Sequence, residues 1–559
     1  MTFKNTRPVS PEDYNALSNM DNHKKPGTRS INASMAVDAT ETSPLLASSS
    51  DNDSDQGDVL ELHKAGLIHS RHAIMWTVTL SVLLISLADQ IAIPPLSRIM
   101  ESIVCYEYFE KVDPSQILVD RAHVRPGALG GVLENNCKVD AVQSEVANLQ
   151  GYQLFFDGFP SLLLAVPFGW AADRIGRKPV IMLGLFSFVL KVGWIEIVLW
   201  FWQIFDIRLM WLSSLHGLLG GSSPVIVTIS FVVLSDVTPS AERAAVFVRL
   251  GAVNFVASLV MPPVAAWLMT RNPWIPALLG LLGYALTVMS YIAVPETKDY
   301  RAHSSSNPPS PPPEPVPEVN SKTTQESHLR LLGSRWLVQL RNSTAFLTHD
   351  YRVLLLIFIF LGHQLIGVAS QLLLLYCSKR YDITMAKSTI LVTVFSGLKS
   401  GLCFFVLPYI SNATMKYLHY STMKKDLYLT RISFALVAAG WTIMGLAPNI
   451  PIMIIGMVIN SLGAGAYLMI RAYIISLVPA HHVARVLTIA SLTETAGSMF
   501  GGPLLSTLYE RGLHLGGGWV GLPWYFIGIL TFVFVGLLMI IRMQPGESET
   551  ITSDFEDES

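Results

Sequence analysis

The chain has 559 residues and a formal net charge of −2, and 51% of its residues are hydrophobic whereas only 14% are charged. Soluble domains carry about 25% charged residues, so this composition excludes an ordinary soluble protein, and the near-zero charge indicates no nucleic-acid partner. The charges cluster in short stretches between long apolar runs, a distribution that is typical of an integral membrane protein.

The chain begins with a polar segment, residues 1–72, which is rich in Ser, Asp and Asn. It has no apolar core of a signal peptide, and we interpret it as a disordered cytoplasmic tail. Beyond it, long apolar runs predict spanning helices, each of which needs about 20 such residues. The sequence predicts twelve of them, at 74–98, 149–172, 179–203, 210–235, 244–269, 274–294, 350–376, 386–410, 429–447, 450–478, 485–508 and 521–543.

Two polar insertions interrupt this series. The first is a predicted external loop, 101–148, and the second is a Pro-rich cytoplasmic linker, 295–349. Near the end of the linker, at 329–341, Leu and Trp alternate with Arg, which predicts an amphipathic helix on the membrane surface; ordinary linker is the alternative. The chain is therefore predicted to be an all-α membrane protein with an N-terminal half at 73–294, a C-terminal half at 350–543 and an acidic cytoplasmic tail at 544–559.

Basic residues in short loops predict the orientation of the chain. The loops after spans two and eight are basic, whereas those after spans three, five, nine and eleven carry one basic residue or none. This bias predicts that both termini and the linker face the cytoplasm. Lys379, Arg380 and Lys387, which follow span seven, run against the trend.

The turn between spans two and three reads GWAADRIGRKP at 169–179. A small residue at Gly169 lets another helix approach closely, and Asp173 can accept hydrogen bonds from a neighbouring helix start. The basic residues can form ionic contacts that exist in one conformation and break in another. We interpret the turn as a gating motif that comprises Gly169, Asp173, Arg174, Gly176, Arg177 and Lys178.

This motif resembles the signature loop of the major facilitator superfamily, G-x-x-x-D-R-x-G-R-K, at its expected position. Within the superfamily, residues 74–543 resemble the proton-coupled folate transporter group and its fungal relatives. The residues that carry this resemblance lie at 152–157, 235–237, 470–472, 476–478, 501–503 and 521–523. The resemblance implies the major facilitator fold of two six-helix halves. It also implies that Arg471 takes the place of an arginine important for substrate and proton coupling, while Gly251 lies where that group has an acidic residue.

Ionisable side chains inside a bilayer are costly unless they are paired or hydrated, so each is a functional candidate. By analogy with the superfamily, the first, fourth, seventh and tenth helices line a central cavity. The candidate substrate or coupling residues are Arg471, Glu494, Asp89, Asp157, His363 and Gln364. Arg471 can pair with Glu494, and a purely structural ion pair is the alternative. We predict structural roles for Lys191 and Glu196, which would pair with Asp157 or reach lipid headgroups.

The cysteines predict one covalent link. Cys105 and Cys137 lie in the predicted external loop and would face an oxidising compartment, which favours a disulfide over two free thiols. The resemblance to folate carriers implies another possibility, Cys137–Cys377. No spacing of Cys and His indicates a metal site.

Together these features predict a secondary active transporter, without a cofactor and not an enzyme, that moves a small organic solute by alternating access. We expect proton coupling and efflux; uptake of an organic anion or a non-transporting nutrient sensor are the alternatives. The expected partners are the solute, protons and the lipid bilayer, with no nucleic acid, and the expected unit is a monomer. The plasma membrane is favoured, and an E-x-x-x-L-L sorting pattern at 41–46 makes the vacuolar membrane the alternative.

Overall fold

The computed structural model describes residues 71–238, 243–297, 351–418, 422–478 and 480–541. Within these ranges the chain is helical and contains no strand. The sorting pattern at 41–46, the amphipathic segment at 329–341 and the acidic tail at 544–559 lie outside the described residues, as does all but the end of the predicted N-terminal tail.

Each predicted span corresponds to a helix, because an isolated apolar run can satisfy its backbone hydrogen bonds in lipid only in this way. The helices are α1 (Arg71–Val112), α2 (Asp140–Ile175), α3 (Arg177–Trp200), α4 (Ser222–Val237), α5 (Arg243–Met269), α6 (Trp274–Ile292), α7 (Tyr351–Arg380), α8 (Met385–Gly401), α9 (Thr422–Leu446), α10 (Ala466–Leu477), α11 (Ala480–Leu515) and α12 (Leu522–Ile540).

Three of the spans are interrupted. A 3-10 segment, Ile207–Leu215, and a short helix precede α4. The break before α4 falls at Gly221, whose φ of 75° is left-handed and suits a residue without a Cβ. The α8 span contains a π turn, Leu402–Val406, and continues beyond it. In the α10 span, a separate helix, Ile450–Leu462, precedes α10. Such irregular turns are found at functional sites more often than elsewhere.

The described chain contains ten helices that are long and apolar enough to cross a membrane. The bent pair Asp140–Ala165 and Pro167–Ile175, which together form α2, makes an eleventh. The remaining predicted span, α11, is 36 residues long but more polar. It packs against both α2 and α7, and the observed helices are consistent with the predicted twelve spans.

The loop between α1 and α2 is shorter than the range 101–148 predicted for an external loop. Helix α1 continues to Val112 and α2 begins at Asp140, because apolar side chains beyond residue 98, such as Ile103, pack into the core between the polar residues that suggested a loop. A disulfide joins Cys105 to Cys137, whereas Cys377 is a buried free thiol. The alternative Cys137–Cys377 bond is therefore not formed.

The helices form an N-terminal half, α1–α6, and a C-terminal half, α7–α12, with two ends. We call the end near Cys105–Cys137 the disulfide end and the end that carries residues 169–179 the motif end. At the disulfide end, one apolar core is shared by both halves and includes Tyr106 and Tyr376. At the motif end, each half has its own core, around Ile181 in one and Ile474 in the other.

The halves meet along two helix pairs, α2 with α11 and α5 with α8. The first pair depends on glycine: a Cβ at Gly151 would lie 2.7 Å from the carbonyl oxygen of Gly502. Next to the second pair, Phe255 of α5 packs on Phe404 of the π turn that follows α8, with ring centroids 5.5 Å apart. These contacts hold the halves together through the disulfide end and the middle of the helices.

Candidate functional site

The C-terminal half contains an ion pair between α10 and α11. Nη2 of Arg471 lies 3.4 Å from both carboxylate oxygens of Glu494. The hydroxyl of Tyr467 donates to the same carboxylate at 2.5 Å, and the guanidinium lies 4.9 Å from the centre of the Tyr467 ring. Charge-assisted hydrogen bonds are usually about 2.7–2.9 Å long, so the Arg471–Glu494 pair is loose. Since the arginine side chain is 37% exposed, it can accept another partner.

His363 and Gln364 of α7 lie beside this ion pair. The His363 ring stacks on Tyr467, with centroids 4.2 Å apart and planes 14° from parallel. Its Nδ1 is buried and has no hydrogen-bond partner among the described residues. Gln364 lies against Gly497 of α11, where an added Cβ would come within 3.1 Å of it. Helices α7, α10 and α11 thus gather the predicted residues of the C-terminal half.

The N-terminal half contains a second ion pair, between Asp157 of α2 and Lys191 of α3. The two charged atoms are 2.7 Å apart and both side chains are 19% exposed. The other oxygen of Asp157 accepts hydrogen bonds from Ser214 at 2.7 Å and from Gln153 at 3.1 Å. Both carboxylate oxygens are therefore occupied, which is typical of a network that holds helices in position.

Glu196 makes neither of the contacts predicted for it, and its structural role stays a prediction. Its side chain is buried, and neither carboxylate oxygen has a hydrogen-bond partner in the part of the chain that the structure describes. Glu196 therefore neither pairs with Asp157 nor reaches the membrane surface. Its neighbours Ile195 and Leu199 on α3 belong to the shared apolar core, so this part of the helix turns inward.

Asp89 lies apart from the C-terminal cluster. It accepts a hydrogen bond from the hydroxyl of Tyr284 on α6 and lines a cavity of about 360 Å³ between α1 and α3–α6. Ser86 and Asn254 line the same cavity and are joined by a hydrogen bond of 2.8 Å. Asp89 thus faces a cavity whose mostly apolar lining includes a few polar side chains.

The gating motif is anchored to the end of α6. The backbone N–H groups of Arg177 and Lys178, at the start of α3, donate to the carboxylate of Glu296 at 2.9 and 3.0 Å. Gly176 has a φ of 120°, and a Cβ there would collide with the same carboxylate. The glycine is required because the cap approaches so closely. Glu296, which follows span six, was not predicted.

The motif is also tied to α4. Nε of Arg177 lies 3.2 Å from the carboxylate of Asp236, whose side chain is 3% exposed. The Arg174 guanidinium lies 4.6 Å from the centre of the Trp170 ring, and Nζ of Lys178 donates to the carbonyl of Ile292 at 2.8 Å. The basic residues of the motif thus make contacts within the N-terminal half.

Two expectations for the motif differ from the structure. Asp173 does not cap a helix: its side chain is 77% exposed and its ion pair is with Arg177, at 3.7 Å. Gly169 does not mediate a close helix contact, since a Cβ there would meet nothing within 4 Å. Helix α2 bends by 50° between Ala165 and Pro167, just before the motif.

A polar network at the disulfide end was not predicted. Glu101 is fully buried and accepts from Lys138 at 2.6 Å. From the same loop, Glu134 accepts from the backbone N–H of Met385 in the C-terminal half at 2.7 Å. Lys379 pairs with Asp140 across the halves, also at 2.7 Å. Lys379 is one of the basic residues after span seven that run against the predicted orientation. That unexpected positive charge was the sequence signal for this contact.

The chemistry that these sites offer is the exchange of protons and ion-pair partners. Arg471 stays charged at any cellular pH, so a proton on Glu494 or an arriving anion would release the pair. Among the described residues, no group of three or more His, Cys, Asp and Glu side chains is placed to hold a metal ion.

Comparison with known proteins places this architecture in a family. Residues 144–423 match the model of the Major Facilitator Superfamily. The chain is 30% identical to the MFS-type transporter aprT of Aspergillus flavus over 87% of this chain and 91% of that protein. It is 28% identical to the MFS efflux pump atnC of Emericella nidulans over 81% of this chain and 85% of that protein.

Among solved structures, the xylose transporter XylE from E. coli, described as partially occluded and inward open, is similar in fold. The TM-score is 0.51 at 13% sequence identity, over 84% of this chain and all of that one. The narrower resemblance to the folate transporter group stays a prediction. The chain belongs to the Major Facilitator Superfamily of membrane transporters.

Proposed function

We propose that this transporter exports a small organic solute from the cytoplasm by alternating access, with protons moving in the opposite direction. The efflux names of two fungal relatives support the direction. The proposal places the motif end and both termini in the cytoplasm, in agreement with the basic loops. It takes the monomer as the transporting unit and the plasma membrane as its location.

The arrangement of the apolar cores supports alternating access most directly. One core joins the halves at the disulfide end, whereas the motif end has one core in each half. Asp173, in the gating motif, is 77% exposed. This arrangement is expected of a transporter whose solute path is closed at the disulfide end and accessible from the motif end. In the proposed cycle, the predicted halves 73–294 and 350–543 rock against each other.

The loose ion pair supports coupling. When Arg471 is held by Glu494, the negative charge of Glu494 is neutralised without a proton. If solute displaces Glu494 from Arg471, or if a proton arrives, the pair separates and α10 is freed from α11. Binding can shift the conformational equilibrium only through such a difference between states.

Transport into inside-out vesicles tests this proposal. Purified protein would be reconstituted in sealed vesicles, vesicles with the motif end outward would be selected, and a metabolite panel would be offered from outside. We expect at least one compound to accumulate when the interior is acid, and a protonophore should abolish the accumulation. Empty vesicles and the Arg471→Ala variant are controls. If no compound accumulates above the empty vesicles, export by proton exchange is wrong.

A further inference from the structure

A cleft of about 600 Å³ lies at the disulfide end, and the transport cycle proposed above does not use it. The loop between α1 and α2 forms one wall, and the turn between α5 and α6 forms another. The indole N–H of Trp274, at the start of α6, donates to the carbonyl of Pro126 in the loop at 2.9 Å. Its ring packs on Trp200 at the end of α3, with centroids 4.7 Å apart. Arg125 of the loop and Arg271 of the turn, both next to these contacts in the chain, line the same cleft.

The cleft carries more positive than negative charge. Three arginines and one glutamate line it: Arg98, Arg125, Arg271 and Glu134. Arg98 is buried and is held by two carboxylates, Glu134 at 3.2 Å and Glu101 at 3.4 Å. Arg125 and Arg271 are exposed, and neither forms an ion pair with a described residue. These two positive charges are therefore available to a ligand.

The cleft continues into an apolar surface on α6. Large apolar side chains are exposed along one face of this helix: Ile275, Leu278, Leu282, Leu286 and Met289. The first two of them also line the cleft. The Arg271 guanidinium lies 5.8 Å from the ring centre of Trp267, which is 62% exposed. Because exposed tryptophans are enriched where a membrane meets water, the arginines lie at the level of lipid headgroups and the apolar face lies against lipid chains.

We propose that this cleft is a phospholipid site, occupied by a lipid of the leaflet at the disulfide end. Arg125 and Arg271 bind its phosphate, because guanidinium groups match phosphate oxygens with paired hydrogen bonds. One acyl chain lies along the apolar face of α6 that begins at Ile275 and Leu278. Basic pockets between membrane helices bind phospholipid headgroups in this way. A free phosphate ion would satisfy the arginines but would leave the apolar part of the cleft uncovered.

Native mass spectrometry of the full chain, stripped of lipid in detergent, tests this site. The probes are dioleoylphosphatidylglycerol, inorganic phosphate, and dioleoylglycerol, which has the same chains but no phosphate. We expect the phospholipid to bind at least about 10-fold more tightly than dioleoylglycerol, because only the phospholipid offers acceptors to the arginines. Inorganic phosphate at the same concentration should not displace the phospholipid. Equal binding of the two lipids would overturn the role of the arginines, and displacement by inorganic phosphate would make the cleft a site for a free anion instead.

Substitutions assign the binding to this cleft. The double variant Arg125→Gln/Arg271→Gln should bind the phospholipid at least about 10-fold more weakly than the wild type, while its binding of dioleoylglycerol stays the same. Arg208→Gln is the matched control and should bind like the wild type. Arg208 is also exposed at the disulfide end, but it pairs with Glu145 at 2.9 Å and lies outside the cleft.

A folded double variant that binds the phospholipid like the wild type overturns the proposal. Should the double variant fail to fold, the three probes still decide on the wild type. None of these measurements depends on transport, so a failure of the phospholipid site would leave the proposed export intact.

Discussion

The ion pair Asp157–Lys191, between α2 and α3, and the ion pair Arg471–Glu494, between α10 and α11, differ in how fully their charges are satisfied. Asp157 and Lys191 approach to 2.7 Å, and two neutral side chains complete the carboxylate's hydrogen bonds. Arg471 and Glu494 remain 3.4 Å apart, and Nε of the arginine is buried without a hydrogen-bond partner among the described residues. The first pair is closed in the sense that both oxygens of its carboxylate are occupied, whereas the arginine of the second pair keeps a donor without an acceptor. A pair with unused donors can exchange partners during transport, and a saturated one serves to hold helices together.

Removal of Arg471 should have the largest effect on transport. Arg471→Ala leaves Glu494 without its cation, and we expect the transport rate to fall by roughly 100-fold or more, equivalent to about 2.7 kcal/mol. Arg471→Lys should lose most of the rate because a point charge cannot replace a bidentate fork. Vesicle transport measures both. A folded Arg471→Ala protein that transports at the wild-type rate would make the pair structural, like Asp157–Lys191.

Disruption of the closed pair should reduce stability instead. Lys191→Met leaves the Asp157 carboxylate without its cation, and removal of one partner of a buried pair costs about 3 kcal/mol. The melting temperature in detergent should therefore fall. The double variant Lys191→Met/Asp157→Asn should recover most of the loss, because no uncompensated charge remains. A double variant that is stable but inactive would instead assign this pair a direct role in transport.

Glu494→Gln should change how transport responds to pH. The amide oxygen can still accept from Tyr467, but the side chain no longer takes up a proton. We expect a measurable transport rate with a flatter pH profile than that of the wild type. Rates measured across a series of external pH values test this. If the wild-type profile is retained, the proton acts elsewhere, and Asp89 at its internal cavity is the next candidate.

Asp173→Asn should have the smallest effect on binding. The carboxylate lies at the motif end and is exposed in this conformation, so it can affect only the conformational equilibrium. Solute affinity in detergent should stay within about twofold of the wild type while turnover slows several-fold. The neighbouring Arg174→Ala variant provides a comparison within the same loop. Lost affinity together with normal exchange rates would contradict a gating role.

Much of the fold follows from local chemistry. Long apolar runs predicted the helices because lipid offers no hydrogen bonds to the backbone, and the order of loops predicted which helix ends lie together. The same reasoning identified Arg471 and Glu494 as neighbours on consecutive spans, since a charge in a membrane helix calls for a partner. It failed at 101–112, where polar residues spaced along α1 concealed a buried apolar face.

The tertiary structure decided which charges are satisfied and where the halves meet. Sequence spacing contains no distance between α7 and α10, so the stacking of His363 on Tyr467 became visible only in the fold. Glu296 caps α3, and Lys379 pairs with Asp140, although the partners lie far apart in the chain. Each core at the motif end likewise brings together residues from distant parts of the chain. The sequence by itself determined that this is a membrane transporter with a charged tenth helix. Because a helix's sequence does not specify its rotation or its neighbours, packing decided which charged side chains pair with each other and which remain available to a ligand.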